Sequence, residues 1–291
     1  MNVRRFGIGL RGNLSPGEYG RLGRLAEDLG FDVVSAFHDL GDQPALVPLV
    51  EVAKVTQRVA LGPACLNPYT MHPVEIAAAI ATLDVVSGGR AYLGLAKGAW
   101  LDSVGITQPD PPKAVREAAA YVEARTRVPL LVGGWGPRMV ALAGEIAAEL
   151  KVGGSANPNI VAVMRKRLAV GASRVGRSPE ATGIVLGAVT VVDEDGAAAR
   201  RLARSAVERY YRLVARFDPT APLAADGSEL PDDVLDLFAF AGTPDDVARH
   251  ASEVFAAGAS RVEFGAPFGL DPGRGLLLLG ERVLPLVRPD E

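Results

Sequence analysis

Two kinds of apolar run alternate along this 291-residue chain. The first kind is short and apolar on both faces, and it occurs at Phe6 to Leu10, Asp32 to Phe37, Val59 to Ala64, Ala91 to Ala96, Val128 to Val132, Leu150 to Val152, Ile184 to Val192 and Arg261 to Phe264. Strands read this way when helices cover both sides of a parallel sheet. The second kind has helical spacing and clear ends. Ser15-Pro16-Gly17-Glu18 is a capping box with proline at the first helical position, followed by Tyr19, Leu22, Leu25 and Leu29 on one face and Gly30 as the stop. Asn157-Pro158 opens a helix carrying Val161, Met164 and Leu168, and Thr243-Pro244 opens another with Val247, Ala251, Val254 and Phe255 inward. Arg58 to Gly98 holds a complete strand, helix and strand unit, which requires a parallel pairing.

Eight such steps without a linker or repeat predict one closed (β/α)8 TIM barrel spanning residues 1–291, a fold that commonly takes about 250 residues. Only Phe217 to Asp236, rich in proline and aspartate, reads as an insertion before the last strand. The helix over 43–55 carries Ala45, Leu46, Leu49, Val50 and Val52 around its circumference, more apolar surface than an outer barrel helix needs, so a homodimer is expected.

Composition narrows the function. Hydrophobic residues make up 48% of the chain and the net charge is −3, so no basic field exists to hold nucleic acid or an anionic membrane. One cysteine excludes an intrachain disulfide, and three scattered histidines offer no metal cluster. The start, MNVRRFGIGLRG, has too short an apolar run for a signal segment, so a soluble cytoplasmic protein acting on a small molecule is expected.

In a barrel of this kind the chemistry sits at the carboxyl ends of the strands. The second strand ends in His38-Asp39, one of three histidines beside a carboxylate. The third ends in Gly62-Pro63-Ala64-Cys65-Leu66-Asn67, where small residues let backbone approach a planar ring; Cys65 itself reads as an inert thiol. The fourth ends in Lys97-Gly98. The fifth runs into Gly133-Gly134-Trp135-Gly136-Pro137-Arg138-Met139, a glycine loop before a helix start whose N–H groups favour an anion. His72 reads as a cap, His250 as solvent-facing, and Glu75 as a weaker candidate for proton transfer. Gly7-Ile8-Gly9-Leu10-Arg11-Gly12 satisfies a dinucleotide fingerprint by spacing, but the following helix starts too late for that fold.

These words also carry a resemblance. LGPACLNPYT, ATLDVVSGGR, LGLAKG, GGWGPRM, GEIAAELKVGGSANPN and the closing stretch from Gly242 to Pro272 resemble the bacterial-luciferase-like superfamily, and within it the F420-dependent methylenetetrahydromethanopterin reductase branch. The resemblance implies a luciferase-like TIM barrel oxidoreductase transferring a hydride between F420 and a small organic substrate. It implies His38 and Asp39 at the redox ring, where the family has the order Asp-His, and a cis peptide at Ala64-Cys65 beside Gly62 and Asn67. It implies Lys97 and Gly98 at the cofactor tail, and Gly134, Trp135, Gly136, Pro137, Arg138 and Met139 around its phosphate. Two departures stand out: Gly9 occupies the place of an acidic residue in the branch's FGIEF, and the wall from Ala99 to Val128 is shorter by roughly a helical hairpin. An FMN-dependent monooxygenase of the same fold, or a degenerate barrel that binds a cofactor or metabolite without turnover, are the alternatives.

Overall fold

A computed structural model of the chain describes residues 4–222 and 230–288. The eight expected strands form one parallel circuit. In chain order the elements are β1 (Arg5–Leu10), α1 (Pro16–Asp28), β2 (Val33–Ala36), α2 (Leu46–Val55), β3 (Ala60–Pro63), α3 (Pro73–Ser87), β4 (Leu93–Leu95), α4 (Pro111–Glu123), β5 (Leu130–Gly133), α5 (Pro137–Ile146), β6 (Glu149–Gly153), α6 (Asn159–Arg174), β7 (Gly183–Val192), α7 (Gly196–Ala215), α8 (Asp232–Leu235), β8 (Ala239–Gly242), α9 (Pro244–Ala256), β9 (Arg261–Phe268) and α10 (Pro272–Leu278). Hydrogen-bonded neighbours run β3-β2-β1-β9-β7-β6-β5-β4, and a parallel bridge between Leu61 and Ala91 closes β3 onto β4. The result is a TIM-like eight-strand barrel. No helix among the described residues is long and apolar enough to cross a membrane.

Local signals are realised as expected. Ser15 and Glu18 form the capping box of α1, and Thr243 with Asp246 forms another at α9. Tyr19 and Leu22 are buried on the inner face of α1, as are Val161, Met164 and Leu168 on α6. The dinucleotide-like glycines lie in and just after β1, with the next helix starting only at Pro16.

Three expectations need correction. The segment before the last barrel strand contains, besides α8, an extra strand, β8, which pairs with the upper half of β7 from Val189 to Val192; residues 223–229 of the expected insertion lie outside the described residues. Four residues carry no usable periodicity, and β8 exists because β7 is ten residues long and leaves an unpaired edge. For the same reason His250 is not solvent-facing. It is buried, 4.8 Å from the Phe240 ring of β8, with Nε2 at 2.9 Å from the Ala156 carbonyl oxygen. The apolar surplus on α2 is also smaller than its composition suggests. Ala45, Leu49 and Val52 are fully buried, Leu46 and Val50 are half-buried, and the exposed apolar residues are Val47 and Val55.

Helices α5 and α6 touch backbone to backbone. A Cβ added at Gly171 would lie 1.7 Å from the Ala141 carbonyl oxygen, and one at Gly144 would lie 2.2 Å from that of Leu168. This close crossing sets where the amino terminus of α5 emerges on the carboxyl face. Gly171→Ala is therefore expected to destabilise the fold by about 1–3 kcal/mol, the usual scale of overpacking, read as a fall in melting temperature by calorimetry. An unchanged melting temperature would mean that the two helices can part without cost.

Candidate active site

The barrel interior is narrow and ionic. Residues two apart on a strand share a face, so Glu149 and Lys151 of β6 and Arg261 and Glu263 of β9 point inward, where aliphatic layers are the norm in such barrels. All but Glu149 are buried, and the fit depends on glycines opposite: a Cβ at Gly187 would lie 3.3 Å from Lys151 Cε, and one at Gly7 would lie 3.5 Å from Glu263 Cγ. Lys151 pairs directly with Glu263. Ser35 Oγ donates to the other Glu263 oxygen at 2.5 Å, and since that hydroxyl has one proton, the Tyr92 hydroxyl 2.7 Å away is the donor to Ser35. Arg261 sits below, 2.9 Å from Glu149 and 3.9 Å from Glu263. Burial alone raises the Glu263 pKa, but the Lys151 and Arg261 charges and the hydrogen bonds from Lys151 and Ser35 outweigh it and hold the carboxyl below its ordinary value.

Gly9 explains what covers this pair. A Cβ at position 9 would lie 2.3 Å from Phe37 Cζ and 3.3 Å from Glu263 Oε1. The Phe37 ring thus fills the hollow that the absent side chain leaves on β1, and the Lys151 ammonium lies 4.9 Å from its centroid. A carboxylate still lies beside this position, but β9 supplies it and an aromatic ring seals it.

Above Phe37, at the carboxyl ends of β2, β3 and β4, a cavity of about 220 Å³ is lined by His38, Asp39, Asn67, Gly98, Trp100 and Leu101 among others. His38 Nδ1 accepts the backbone N–H of Ala45 at 3.2 Å, which leaves the proton of the neutral ring on Nε2. The Asp39 charge raises the ring's proton affinity, but Asp39 does not set this tautomer. Ala45 sets the tautomer, and the His38 pKa is lowered because burial outweighs the Asp39 charge. Asp39 itself lies on the exposed rim, where loss of solvent and then the neighbouring Asp42 raise its carboxyl pKa. Asn67 is buried and ties its own loop by accepting the N–H groups of Tyr69 and Thr70.

The next strand ends adjoin this cavity. The peptide Ala64-Cys65 is cis. The Cys65 thiol lies 3.4 Å from a Cβ built at Gly94 and 3.0 Å from one built at Gly133, and burial pushes its pKa up to about 12. That is an inert thiol at neutral pH. Gly62 is held against the Tyr92 carbonyl, and Gly98 has φ +82°, which only glycine adopts readily. Lys97 is exposed, with its ammonium 5.9 Å from the Phe217 ring. On the fifth strand end, Trp135 Nε1 donates to the Gly153 carbonyl at 3.0 Å, and Arg167 of α6 donates to the Trp135 carbonyl at 2.6 Å. Pro137 starts α5, whose first N–H groups have no partner within the helix. Gly136 and Gly153 face open space: a Cβ on either would meet nothing within 4 Å.

The structure therefore brings His38, Asp39, Asn67 and Gly98 into one cavity, with the Gly133–Arg138 loop beside it on the same barrel face. Arg138 pairs at the rim with Asp110 at 2.8 Å, and Met139 is buried beneath Gly134, so that its backbone rather than its side chain is available to a ligand. His72 caps α3 by accepting the Val74 N–H, and Glu75 is exposed and outside the cavity wall. Lys151, Glu263, Ser35 and Arg167 were missed. The available signal was charge at alternate positions inside otherwise apolar strands, ELKVG and RVEFG.

Comparison with known proteins agrees with this geometry. A family model described as luciferase-like monooxygenase matches residues 4–127 and 105–261. The 5,10-methylenetetrahydromethanopterin reductase of Archaeoglobus fulgidus is 28% identical over 91% of this chain and 94% of its own length. The coenzyme F420 dependent tetrahydromethanopterin reductase of Methanopyrus kandleri superposes with a TM-score of 0.81 at 24% identity, covering 98% of this chain and 99% of that one. An F420-dependent secondary alcohol dehydrogenase in complex with an F420-acetone adduct has the same TM-score, 0.81, at 17% identity, covering 99% and 100% of the two chains.

Lys151→Met leaves Glu263 buried without its closest cation and is expected to destabilise the protein by about 3–5 kcal/mol in urea unfolding, with Lys151→Met/Glu263→Gln recovering part of the loss. Because the Glu263 pKa is depressed, its stabilisation is complete above the unfolded carboxyl value of 4.5 and is lost as pH falls below that. The parent protein is expected to lose more stability between about pH 5 and pH 3 than the double variant does. Parallel acid profiles would refute the pairing.

Proposed function

Because the chain belongs to the luciferase-like monooxygenase family, we propose that it is an oxidoreductase that uses coenzyme F420 to move a hydride to or from a small organic substrate at the carboxyl face of the barrel. The observation that carries this reading is the free space in front of Gly136 at the start of α5, on the same face as the His38 cavity. The residues present fit a planar cofactor with an anionic tail. Ala64 and the cis peptide to Cys65 offer backbone in place of bulky side chains, Gly62 is spent on packing against Tyr92, and Asn67 and Gly98 line the adjoining wall. The α5 amides of Arg138 and Met139, in a loop fastened by Trp135 and Arg167, hold the phosphate end. When bound, F420 supplies the hydride chemistry, and the protein supplies position, charge and dryness.

F420 is preferred to FMN because relatives and solved structures matched over most of the chain include F420-dependent enzymes, and because Lys97 and Arg138 offer cations to a longer acidic tail. His38, neutral and with its Nε2 proton available, donates a hydrogen bond to the ring edge or the substrate while Nδ1 stays bound to the Ala45 N–H. Asp39 contributes charge at the rim. The short wall after β4, a single turn from Leu101 to Val104 before α4, leaves the cavity open on one side, which suits a substrate larger than the cavity.

Fluorescence titration of the purified protein is expected to give a lower Kd for F420 than for FMN. A preference for FMN would make the protein a flavin monooxygenase instead, and saturable binding of neither would leave a barrel that does no redox chemistry.

Crystals soaked with F420 are expected to place His38 Nε2 within about 4 Å of the deazaflavin ring. With a substrate in hand, His38→Ala should lower turnover by roughly 10²-fold while cofactor affinity stays within about threefold. Since burial lowers the His38 pKa and protonation at Nδ1 would break its bond with the Ala45 N–H, the parent's rate should be flat at and above neutral pH and fall only on the acid side of the ordinary imidazole range. A ring turned away from the cofactor, or unchanged turnover in the alanine variant, would remove His38 from the reaction.

A further inference from the structure

We propose that the amino-terminal mouth of the barrel, the end opposite the candidate active site, binds a small dianionic oxyanion of the phosphate class. A cavity of about 240 Å³ opens there, roomier than a single bound water requires. Four arginines line it: Arg5 at the start of β1, Arg58 just before β3, Arg90 just before β4, and Arg261 at the start of β9. They come together because strand beginnings from different parts of the barrel meet at this end; Arg5 and Arg261 are direct partners across the β1–β9 ladder.

One carboxylate stands against these four cations in the cavity wall. Glu149 is shared between Arg5 at 3.3 Å and Arg261 at 2.9 Å. Glu27, beside Arg58, spends its carboxylate on the backbone N–H groups of Gln57, Arg58 and Val59. Arg90 is held in place by backbone carbonyls, including those of Val59 at 2.8 Å and Thr56 at 2.9 Å, which fix its position without neutralising its charge. Arg261 forms the floor. Its side chain is 1% exposed, and apart from its ion pairs none of its three guanidinium nitrogens makes a hydrogen bond of acceptable geometry. Its nitrogens are shielded from solvent beside the Tyr92 ring, so Arg261 contributes buried positive charge behind the wall, while the forks of the more exposed arginines match the oxygens of an oxyanion. Arg58 and Arg5 are the exposed members that reach the ligand first, with Arg90 and Arg261 supplying the field behind them.

The shared chemistry is a tetrahedral oxyanion, either free phosphate or the phosphate of a monoester. The Arg261–Glu263–Lys151 chain then runs from this mouth to the underside of Phe37, so a bound anion acts on the same network that supports the candidate active site.

Isothermal titration of the full chain with inorganic phosphate, at constant ionic strength in chloride, is expected to show one saturable site. Arg58→Ala and Arg5→Ala should each weaken it at least tenfold, about 1.4 kcal/mol, while Arg138→Ala on the opposite face leaves it unchanged. Circular dichroism melting checks that each variant is folded. Glycerol phosphate in place of phosphate separates the two sources: equal affinity identifies the free ion, and tighter binding identifies a monoester. Absence of saturation up to about 10 mM would overturn the proposal. So would binding that Arg138→Ala removes and the other two variants spare, since the anion would then sit at α5.

Discussion

The rest of this structure depends on a Lys–Glu pair placed inside the barrel. Two opposite charges in a cavity walled by Val and Leu would cost more in lost hydration than their attraction returns, unless each is also hydrogen-bonded. Here Glu263 takes a hydrogen bond from Ser35, which takes one from Tyr92, and Arg261 lies within reach below. The volume for this network comes from strands that present glycine where an ordinary barrel presents branched side chains, Gly7 and Gly9 on β1 and Gly187 on β7. Charge and glycine are therefore one device, since neither is tolerable in the barrel centre without the other.

That device reaches the candidate site through Phe37. The ring drops into the hollow over Gly9 because no side chain occupies it, and in doing so it separates the ion pair from the cavity that holds His38. The two residues after β2 thus divide the work, Phe37 filling the core and His38 projecting into the cavity. The backbone N–H of Ala45 then fixes the orientation of the imidazole. A charged residue at position 9 would displace the ring and expose the pair, so the departure at Gly9 and the sealed interior are two views of one packing choice.

The loop before α5 is held by different means. Its position follows from the glycine crossing of α5 and α6, and its shape from the Trp135 and Arg167 hydrogen bonds. Both anchors draw on α6 or the end of β6, so the start of α5 is fixed by the following βα unit and not by its own sequence. The loop can stay open in front of Gly136 because rigidity comes from behind it.

The sequence by itself determined the eight-strand circuit, its helix caps at Ser15 and Thr243, the barrel ends that carry His38, Asn67, Gly98 and Gly136, and the family. These are local properties, set by which residues lie within a few positions of one another, and by short words with a physical reason for their glycines and prolines. What the tertiary structure alone decided are the contacts between residues far apart in the chain. Lys151 and Glu263 are 112 positions apart, and the Ala45 amide that sets the His38 tautomer belongs to the next helix. His250 reads as a surface residue until β8 pairs with β7 and brings Phe240 over it. The same holds for the four arginines at the amino-terminal mouth, unremarkable singly, which converge only when the sheet closes. Periodicity reports which face of an element is buried, but not which distant side chain occupies the space against it. In this barrel that occupancy governs the charge, tautomer and openness of the candidate site.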